Sequence, residues 1–307
     1  MAIQELITDA QALLNSTDLP HADGEGVSRR LALQTAIGVG YAAAAAPLMA
    51  QTAIKTSAAG LVTGEVTITV GTGAASFKMN AYRAAPAGKS NLPTVLVISE
   101  IFGVHEYIAD TCRRLAQAGY LAIAPELYQR QGDPTSYNNM ADLMREVVNK
   151  VPDAQVMGDL DACVLWAALN GGDAKRVGIT GFCWGGRITW LFAAHSKAVR
   201  AGVAWYGRLV GAASSLQPKH PLDGVDSLNA PVLGLYGRAD TGIPMDTVAR
   251  MQNKLQDSKN KAAKQSHFVT YADTPHAFHA DYRPSYRKDA AVDGWSRMLA
   301  WLKVHGV

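Results

Sequence analysis

From residue 66 to the C-terminus, short apolar runs rich in β-branched residues alternate with longer stretches whose apolar residues recur every three or four positions. Residues 94–99, 176–180, 231–236 and 267–271 are such runs, and each predicts a buried strand. Strands that alternate with helices are typical of an α/β protein. We therefore expect a mostly parallel central sheet with helices on both faces.

Three of the intervening stretches carry apolar residues at helical spacing, and the first of them stops at Gly119. The residues on these predicted helix faces are Ile108, Cys112 and Leu115, then Val156, Leu160, Cys163, Val164 and Ala167, and last Trp295, Met298, Leu299 and Leu302. We expect Cys112 and Cys163 to be core residues, because cysteine on an apolar helix face is commonly buried. With 48% hydrophobic and 18% charged residues, the 307-residue chain supports one large core, which we assign to residues 51–307.

Residues 181–185, with the sequence GFCWG, lie where the strand 176–180 must turn sharply into an apolar helix. Glycine on both sides of a central nucleophile is the pattern of the nucleophile elbow, here with Cys183 in place of the usual serine. The N-terminus of the following helix would favour the thiolate form of Cys183. The alternative is a buried structural cysteine.

Two further polar residues follow strands later in the chain. Asp240 comes after the run 231–236, and His276 comes after the run 267–271. Singly, Asp240 could cap a helix and His276 could be a loop histidine. Together with Cys183 they give the order nucleophile, acid, histidine at the carboxyl ends of three strands, where α/β sheets collect their active sites. In such a triad Cys183 attacks a carbonyl carbon and forms a thioester, His276 accepts the proton and then activates water, and Asp240 orients the imidazole.

The developing oxyanion needs two backbone donors, and one of them should be the N–H of Trp184, the residue after the nucleophile. The second should come from the loop after an early strand. The run 94–99 leads to Glu100 at such a position. Glu100 either caps a helix that begins near residues 104–107 or approaches the nucleophile.

Four short motifs in this order resemble the dienelactone hydrolase (carboxymethylenebutenolidase) family of the α/β-hydrolase superfamily. They are EIFG at 100–103, GFCWGG at 181–186, GRAD at 237–240 and PHAF at 275–278, and the likeness runs from about residue 66 to the C-terminus. The resemblance implies an α/β-hydrolase fold and hydrolysis of a small, dienelactone-like ester or lactone.

The same resemblance implies roles for individual residues. Cys183, Asp240 and His276 would form the catalytic triad. Glu100 would hydrogen-bond the resting thiol and help to deprotonate it when substrate arrives. Ile101 and Trp184 would supply the two N–H groups of the oxyanion hole.

Substrate recognition departs from the family pattern, in which two arginines grip a substrate carboxylate. The position four residues after His276 is Ala280 here, and Arg283 lies three residues further on. The candidate substrate-binding residues are Phe102, Arg145, Tyr206 and Arg283. Removal of residues 1–50 would raise the net charge from +3 to +6, and this positive charge mildly favours an anionic substrate. It is too small and too scattered to indicate a nucleic-acid partner.

The remaining histidines show no metal-ligand spacing, and the three cysteines form no CxxC motif, so neither a metal nor another cofactor is expected. His279 is interpreted as loop surface or as a neighbour of the site, and it is the main alternative to His276 as the base. His105 either lines the pocket or lies on a helix surface, the second being favoured.

The first fifty residues have a different character. Residues 28–33, SRRLAL, resemble a twin-arginine translocation motif, and residues 31–50 are uncharged and rich in alanine and glycine. This pattern predicts a Tat-type signal, export to the periplasm and no stable membrane span in the mature protein. The alternatives are a transmembrane anchor and an N-terminal helix packed on the domain, with a cytoplasmic protein that keeps its extension.

Three hypotheses for function remain at this point. The favoured one is an ester or lactone hydrolase that acts through Cys183. The second is a relative that binds a small acid or lactone without turnover, and the third is a thiol redox or thioester-handling protein. A binding protein does not need all three triad groups, and no second cysteine is placed to resolve a disulfide.

Overall fold

The computed structural model describes residues 54–307. The predicted signal at residues 1–50 lies outside them. Eight strands form one sheet, and their bounds are β1 Leu61–Val70, β2 Phe77–Pro86, β3 Leu92–Ile98, β4 Leu121–Pro125, β5 Gly172–Phe182, β6 Val199–Trp205, β7 Val232–Gly237 and β8 His267–Tyr271. The α-helices are α1 Glu106–Gln117, α2 Met140–Glu146, α3 Asp153–Leu169, α4 Trp184–His195, α5 Met245–Asp257, α6 Lys261–Gln265 and α7 Lys288–Val304.

The strand order across the sheet is β1-β2-β4-β3-β5-β6-β7-β8. The pairs β1–β2 and β2–β4 are antiparallel, and every other pair is parallel. Each parallel pair needs a crossover, which α-helices supply except between β6 and β7, where a long loop with a 3-10 helix at Pro221–Ser227 makes the connection. The prediction of a mostly parallel sheet is confirmed, with an antiparallel hairpin of β1 and β2 at one edge.

Helices cover both faces of this sheet. A side chain on Gly178 of β5 would meet Leu302 of α7, whereas one on Gly202 of β6 would meet Thr189 of α4. Gly202 pairs with Ile179, the residue after Gly178. Because successive residues of a strand point to opposite faces, α4 and α7 lie on opposite sides of the sheet.

The central strands carry near-continuous apolar runs where both of their faces are covered, as in residues 177–182 of β5. β4 and β7 are buried at every residue. Cys112 and Cys163 are both fully buried, which confirms their prediction as core residues. In the part of the chain that the structure describes, no helix is both long and apolar enough to cross a bilayer.

Candidate active site

Cys183 occupies the turn between β5 and α4 with φ 55° and ψ −110°, a conformation that is strained for a residue with a side chain. Its N–H donates to the carbonyl of Trp205 on the neighbouring strand, and its carbonyl accepts from the N–H of Arg187 one turn into α4. A Cβ on Gly185 would overlap the carbonyl oxygen of Ile98, so only glycine allows α4 to approach the end of β3 this closely. These contacts fix the cysteine at the carboxyl edge of the sheet.

A buried ion pair holds the elbow helix from behind. The guanidinium of Arg187 donates to both carboxylate oxygens of Asp153, at the start of α3, at 2.7 Å each. It also donates to the carbonyl of Lys219 at 2.9 Å. Because this bidentate geometry is specific, the first turn of α4 has one fixed position relative to α3.

The thiol of Cys183 is protonated at rest. Burial, together with the negative charge of Glu100, raises its pKa to about 12, against the opposing effects of Arg283 and of a hydrogen bond from the Trp184 N–H. The sequence-based expectation that the helix N-terminus favours a thiolate is therefore wrong for the resting protein, because desolvation outweighs the helix dipole here.

Asp240 and His276 form a hydrogen-bonded pair, with Nδ1 of the imidazole 2.6 Å from Oδ2 of the carboxylate. They follow β7 and β8, which are adjacent parallel strands, so their loops meet at one edge. The other carboxylate oxygen accepts from the N–H groups of Gly242 and Ile243 at 2.9 and 3.1 Å. All three donors thus hold the Asp240 carboxylate in one orientation.

Burial sets the protonation state of this pair. It lowers the pKa of His276, with Arg283 acting in the same direction, and it raises the pKa of Asp240. The imidazole is therefore neutral at rest. Since a carboxylate accepts at Nδ1, we place the proton on Nδ1 and leave Nε2 as the basic nitrogen. The ring of Tyr206, which follows β6, stands edge-on to this imidazole at 5.0 Å.

Glu100 lies in the loop after β3, and its side chain is only 2% exposed. Its negative charge helps to raise the pKa of the Cys183 thiol, as noted above. It does not cap the following helix: α1 begins at Glu106, and its N-cap residue is His105. The alternative of a helix cap is thus wrong, and the approach of Glu100 to the nucleophile stays a prediction.

The two N–H groups expected to form an oxyanion hole belong to neighbouring segments. Trp184 is the first residue of α4, where backbone N–H groups have no partner within the helix. Ile101 follows Glu100 in the buried loop after β3. Because Gly185 packs directly on the end of β3, the segments carrying Ile101 and Trp184 lie side by side.

Three of the four candidate substrate-binding residues lie around this site. Tyr206 contacts His276, and the guanidinium of Arg283 lies over the ring of Phe102, 5.0 Å from its centroid. Arg283 is buried and its charge acts on Cys183 and Glu100. Although Arg283 lies three residues beyond the arginine position of the family pattern, its guanidinium places a positive charge at the site.

The fourth candidate, Arg145, is placed elsewhere. It lies on α2 with its side chain 64% exposed, paired with Asp142 and Glu146 of the same helix. The acidic residues of this short surface helix pair with the Arg145 guanidinium. The sequence-based assignment of Arg145 to substrate binding is thus not supported by its position.

For two histidines the structure contradicts the surface position that was one of the two alternatives from sequence. His105 has a side chain only 7% exposed, with Nε2 3.4 Å from Oε2 of Glu100, rather than a helix-surface position. His279 is 2% exposed rather than loop surface, and Nδ1 lies 2.6 Å from the hydroxyl of Tyr107. It also stacks on Phe182 at 5.2 Å. The aromatic residues on either side of both histidines were the available signal, since aromatic neighbours favour burial.

No group of three or more histidine, cysteine, aspartate or glutamate side chains within residues 54–307 is arranged to hold a metal ion. The functional groups at this edge of the sheet are a thiol, an imidazole–carboxylate pair, a second buried carboxylate and backbone N–H groups. These groups suit acyl transfer at a carbonyl carbon.

Comparison with known proteins gives a consistent result. Residues 79–306 match the model of the dienelactone hydrolase family. A candidate carboxymethylenebutenolidase of Methylorubrum extorquens is 55% identical over 282 residues, which cover 92% of this chain and 94% of that protein. A candidate 2-oxo-3-(5-oxofuran-2-ylidene)propanoate lactonase of Bradyrhizobium is 33% identical over 227 residues, covering 73% and 89%.

A solved structure shows the same fold. The crystal structure of a candidate dienelactone hydrolase from Klebsiella pneumoniae superimposes with a TM-score of 0.75 at 55% sequence identity, covering 79% of this chain and 98% of that one. The motifs at the carboxyl edge, the family match and these relatives agree, and the chain belongs to the dienelactone hydrolase family.

Proposed function

We propose that this protein hydrolyses a small ester or lactone, of the dienelactone kind, with Cys183 as the nucleophile. The observation that carries the proposal is the 2.6 Å hydrogen bond between His276 and Asp240 at the same sheet edge as the strained Cys183 turn. A nucleophile, a neutral imidazole and a carboxylate that orients it are the three groups that acyl transfer requires.

The first half of the reaction forms a thioester. Substrate binding brings a carbonyl carbon to Cys183, whose proton passes to a base, either Glu100 or His276, as the S–C bond forms. The oxyanion accepts hydrogen bonds from the N–H groups of Ile101 and Trp184. Collapse of the tetrahedral intermediate breaks the C–O bond, and the leaving oxygen takes up the transferred proton. For a lactone the leaving oxygen remains part of the acyl group.

The second half releases the acid. Nε2 of His276 takes a proton from water, whose oxygen attacks the thioester carbon, and the C–S bond breaks. The sulfur recovers the proton from the imidazolium, so the enzyme returns to its starting state. Asp240 stabilises the transient imidazolium through Nδ1. The lowered pKa of His276 supports this role, because only a neutral imidazole can accept a proton.

An anionic substrate fits the charges of the site. The buried guanidinium of Arg283 lies beside Phe102 and acts electrostatically on Cys183. A substrate carboxylate would pair with this guanidinium while its ester or lactone carbonyl faces the thiol. The Bradyrhizobium relative is named for a lactone that carries a carboxylate, which supports the same substrate class.

The test is hydrolysis of p-nitrophenyl acetate and of a dienelactone by the full-length protein and by Cys183→Ala. We expect turnover of both substrates to be lost in Cys183→Ala. Cys163→Ala is the matched control, since this cysteine is buried in the core, and it should keep its turnover. Hydrolysis by Cys183→Ala at the rate of the unmodified protein would contradict the proposal. Absence of turnover with retained binding of the dienelactone would favour the alternative function of a binding protein.

A further inference from the structure

The carboxylate of Glu100 is buried without a hydrogen bond. Its side chain is 2% exposed, and within residues 54–307 neither carboxylate oxygen accepts a hydrogen bond. Burying an ionised carboxylate without a donor is costly, and unpaired buried groups in native proteins commonly have a functional reason. The ionised form of Glu100 therefore needs a partner that the sheet and helices do not supply.

His105 is placed to be this partner. Its Nε2 lies 3.4 Å from Oε2 of Glu100, slightly beyond the range of an ordinary N–H···O hydrogen bond. The same Nε2 is buried and has no hydrogen-bond partner among the described residues. These buried polar atoms of Glu100 and His105 thus lie close to each other, and neither makes a hydrogen bond to another described residue.

Aromatic side chains hold the imidazole of His105 in this position. It stacks on Tyr107 with ring centroids 5.9 Å apart, and it meets Tyr282 edge-on at 5.1 Å and Phe102 at 6.4 Å. His105 is the N-cap residue of α1, yet its side chain makes no capping hydrogen bond. The ring nitrogen is therefore not needed for the helix, and packing alone directs it towards Glu100.

We infer that His105 is a positioning residue that acts through Glu100, a role that rests on the proposed function. Its Nε2–H donates to the carboxylate in the working enzyme and holds it oriented towards the Cys183 thiol. A small rotation of either side chain closes the 3.4 Å separation to a hydrogen bond. When Glu100 accepts the thiol proton, the imidazole of His105 keeps its own proton. His105 therefore takes part in no proton transfer, and it does not contact the substrate.

The groups around the pair determine how this role can be measured. The titratable or charged side chains that interact with Glu100 are Cys183, Tyr107, Tyr128, Tyr206, Tyr282 and Arg283, and Glu126 interacts with His105. Burial raises the pKa of the four tyrosines and of the thiol, so they stay neutral through the acid range. Burial also raises the pKa of Glu126, and His105 opposes this rise. Because His105→Phe and His105→Gln both remove the imidazole, the effect on Glu126 is the same in these two variants, and the comparison between them isolates the donor.

The experiment compares His105→Phe with His105→Gln in the full-length protein, measuring kcat and KM for p-nitrophenyl acetate and a dienelactone across the acid range. Phenylalanine keeps the ring packing and removes the donor, whereas glutamine keeps an N–H donor and loses the ring. For His105→Phe we expect kcat to fall about tenfold at pH 7 with KM nearly unchanged. We also expect the acidic limb of the profile to move up by about one pH unit. For His105→Gln we expect kcat to stay close to that of the parent protein, with the acidic limb of the profile at the parent pH.

The opposite ranking would overturn the inference. If His105→Phe keeps the original profile, or if His105→Gln is the more impaired variant, the ring serves packing and not Glu100. His267→Phe is the matched control, because His267 is exposed at the amino end of β8, and it should leave the profile unchanged. His105→Ala gives an independent measurement: added imidazole should restore its turnover, and failure to do so counts against the donor role. Full activity of Cys183→Ala would instead reject the proposed function itself.

Discussion

At the scale of single residues, burial decides which groups of the site carry charge. It raises the pKa of the Cys183 thiol to about 12 and lowers the pKa of the His276 imidazole, so both are neutral before substrate arrives. Charge on sulfur and imidazole then develops only during the reaction. A protonated thiol also reacts slowly with oxidants, so the proposed nucleophile Cys183 would be compatible with the predicted export to an oxidising periplasm.

The Asp240–His276 hydrogen bond makes a prediction at the same scale. Asp240→Asn should lower kcat by on the order of 10⁴-fold, because an amide cannot stabilise the imidazolium and favours the wrong tautomer. Hydrolysis of p-nitrophenyl acetate measures this loss. Asp246→Asn, at an exposed position in the first turn of α5, should hydrolyse at the original rate. A loss of less than tenfold in Asp240→Asn would show that another group orients His276.

At the scale of secondary structure elements, the contact between α4 and the end of β3 organises the site. It joins the segment that carries Cys183 and Trp184 to the loop that carries Glu100 and Ile101. The contact depends on Gly185, where any side chain would overlap the Ile98 carbonyl. Because this neighbour is backbone in the centre of a buried sheet, it cannot move aside cheaply.

Gly185→Ala should therefore lower the free energy of unfolding by about 3 kcal/mol and displace the elbow from Glu100, with loss of turnover. Urea unfolding followed by circular dichroism measures the first effect. The matched control is Gly158→Ala, at an exposed position in α3 with no atom near the added methyl group. It should stabilise the protein by about 0.5–1 kcal/mol, since alanine is the better helix former. Equal stabilities for the two variants would mean that α4 can retreat from β3.

At the scale of the whole molecule, buried histidines couple stability to pH. His279 lies between Tyr107 and Phe182, and burial, reinforced by Arg114, holds its pKa well below the ordinary 6.5. The folded protein keeps this imidazole neutral, whereas the unfolded chain protonates it below about pH 6.5. Its contribution to stability is therefore complete above this pH and is lost as the pH falls.

His279→Gln tests this coupling. Between pH 7 and pH 5 the parent protein should lose up to about 1.4 kcal/mol of unfolding free energy per pH unit because of His279, and the variant should lose less. Urea unfolding at several pH values gives both slopes. His267→Gln, with the histidine exposed, should keep the parent slope. Identical slopes for His279→Gln and the parent protein would show that His279 does not titrate on unfolding.

Export is also a property of the whole molecule, and it remains a prediction from residues 28–50. Arg29→Lys combined with Arg30→Lys should retain the protein in the cytoplasmic fraction of a Tat-competent bacterium, while the parent protein reaches the periplasm. Immunoblots of the fractions distinguish the two results. Arg145→Lys, at an exposed position of the folded domain, is the control and should be exported. A parent protein that stays in the cytoplasm would reject the signal.

The sequence by itself determined the layout of the protein. Alternating apolar runs and helical spacings set the α/β class, because a buried strand and an amphipathic helix each impose their own local period. The sequence also shows the glycines around Cys183 and the order in which Asp240 and His276 follow their strands. Each depends on the local turn and on the rule that parallel strands end at one edge.

The tertiary structure alone decided the electrostatics and the surroundings of the site. The protonated state of Cys183 and the approach of His105 to Glu100 arise from chain segments distant in sequence. The same holds for the exposed position of Arg145 and the buried one of Arg283. Desolvation depends on every neighbour within several ångströms, and no local pattern encodes that set. The sequence thus locates the candidate site residues, and only the packing of the folded chain sets the protonation states of Cys183 and His276 before substrate binds.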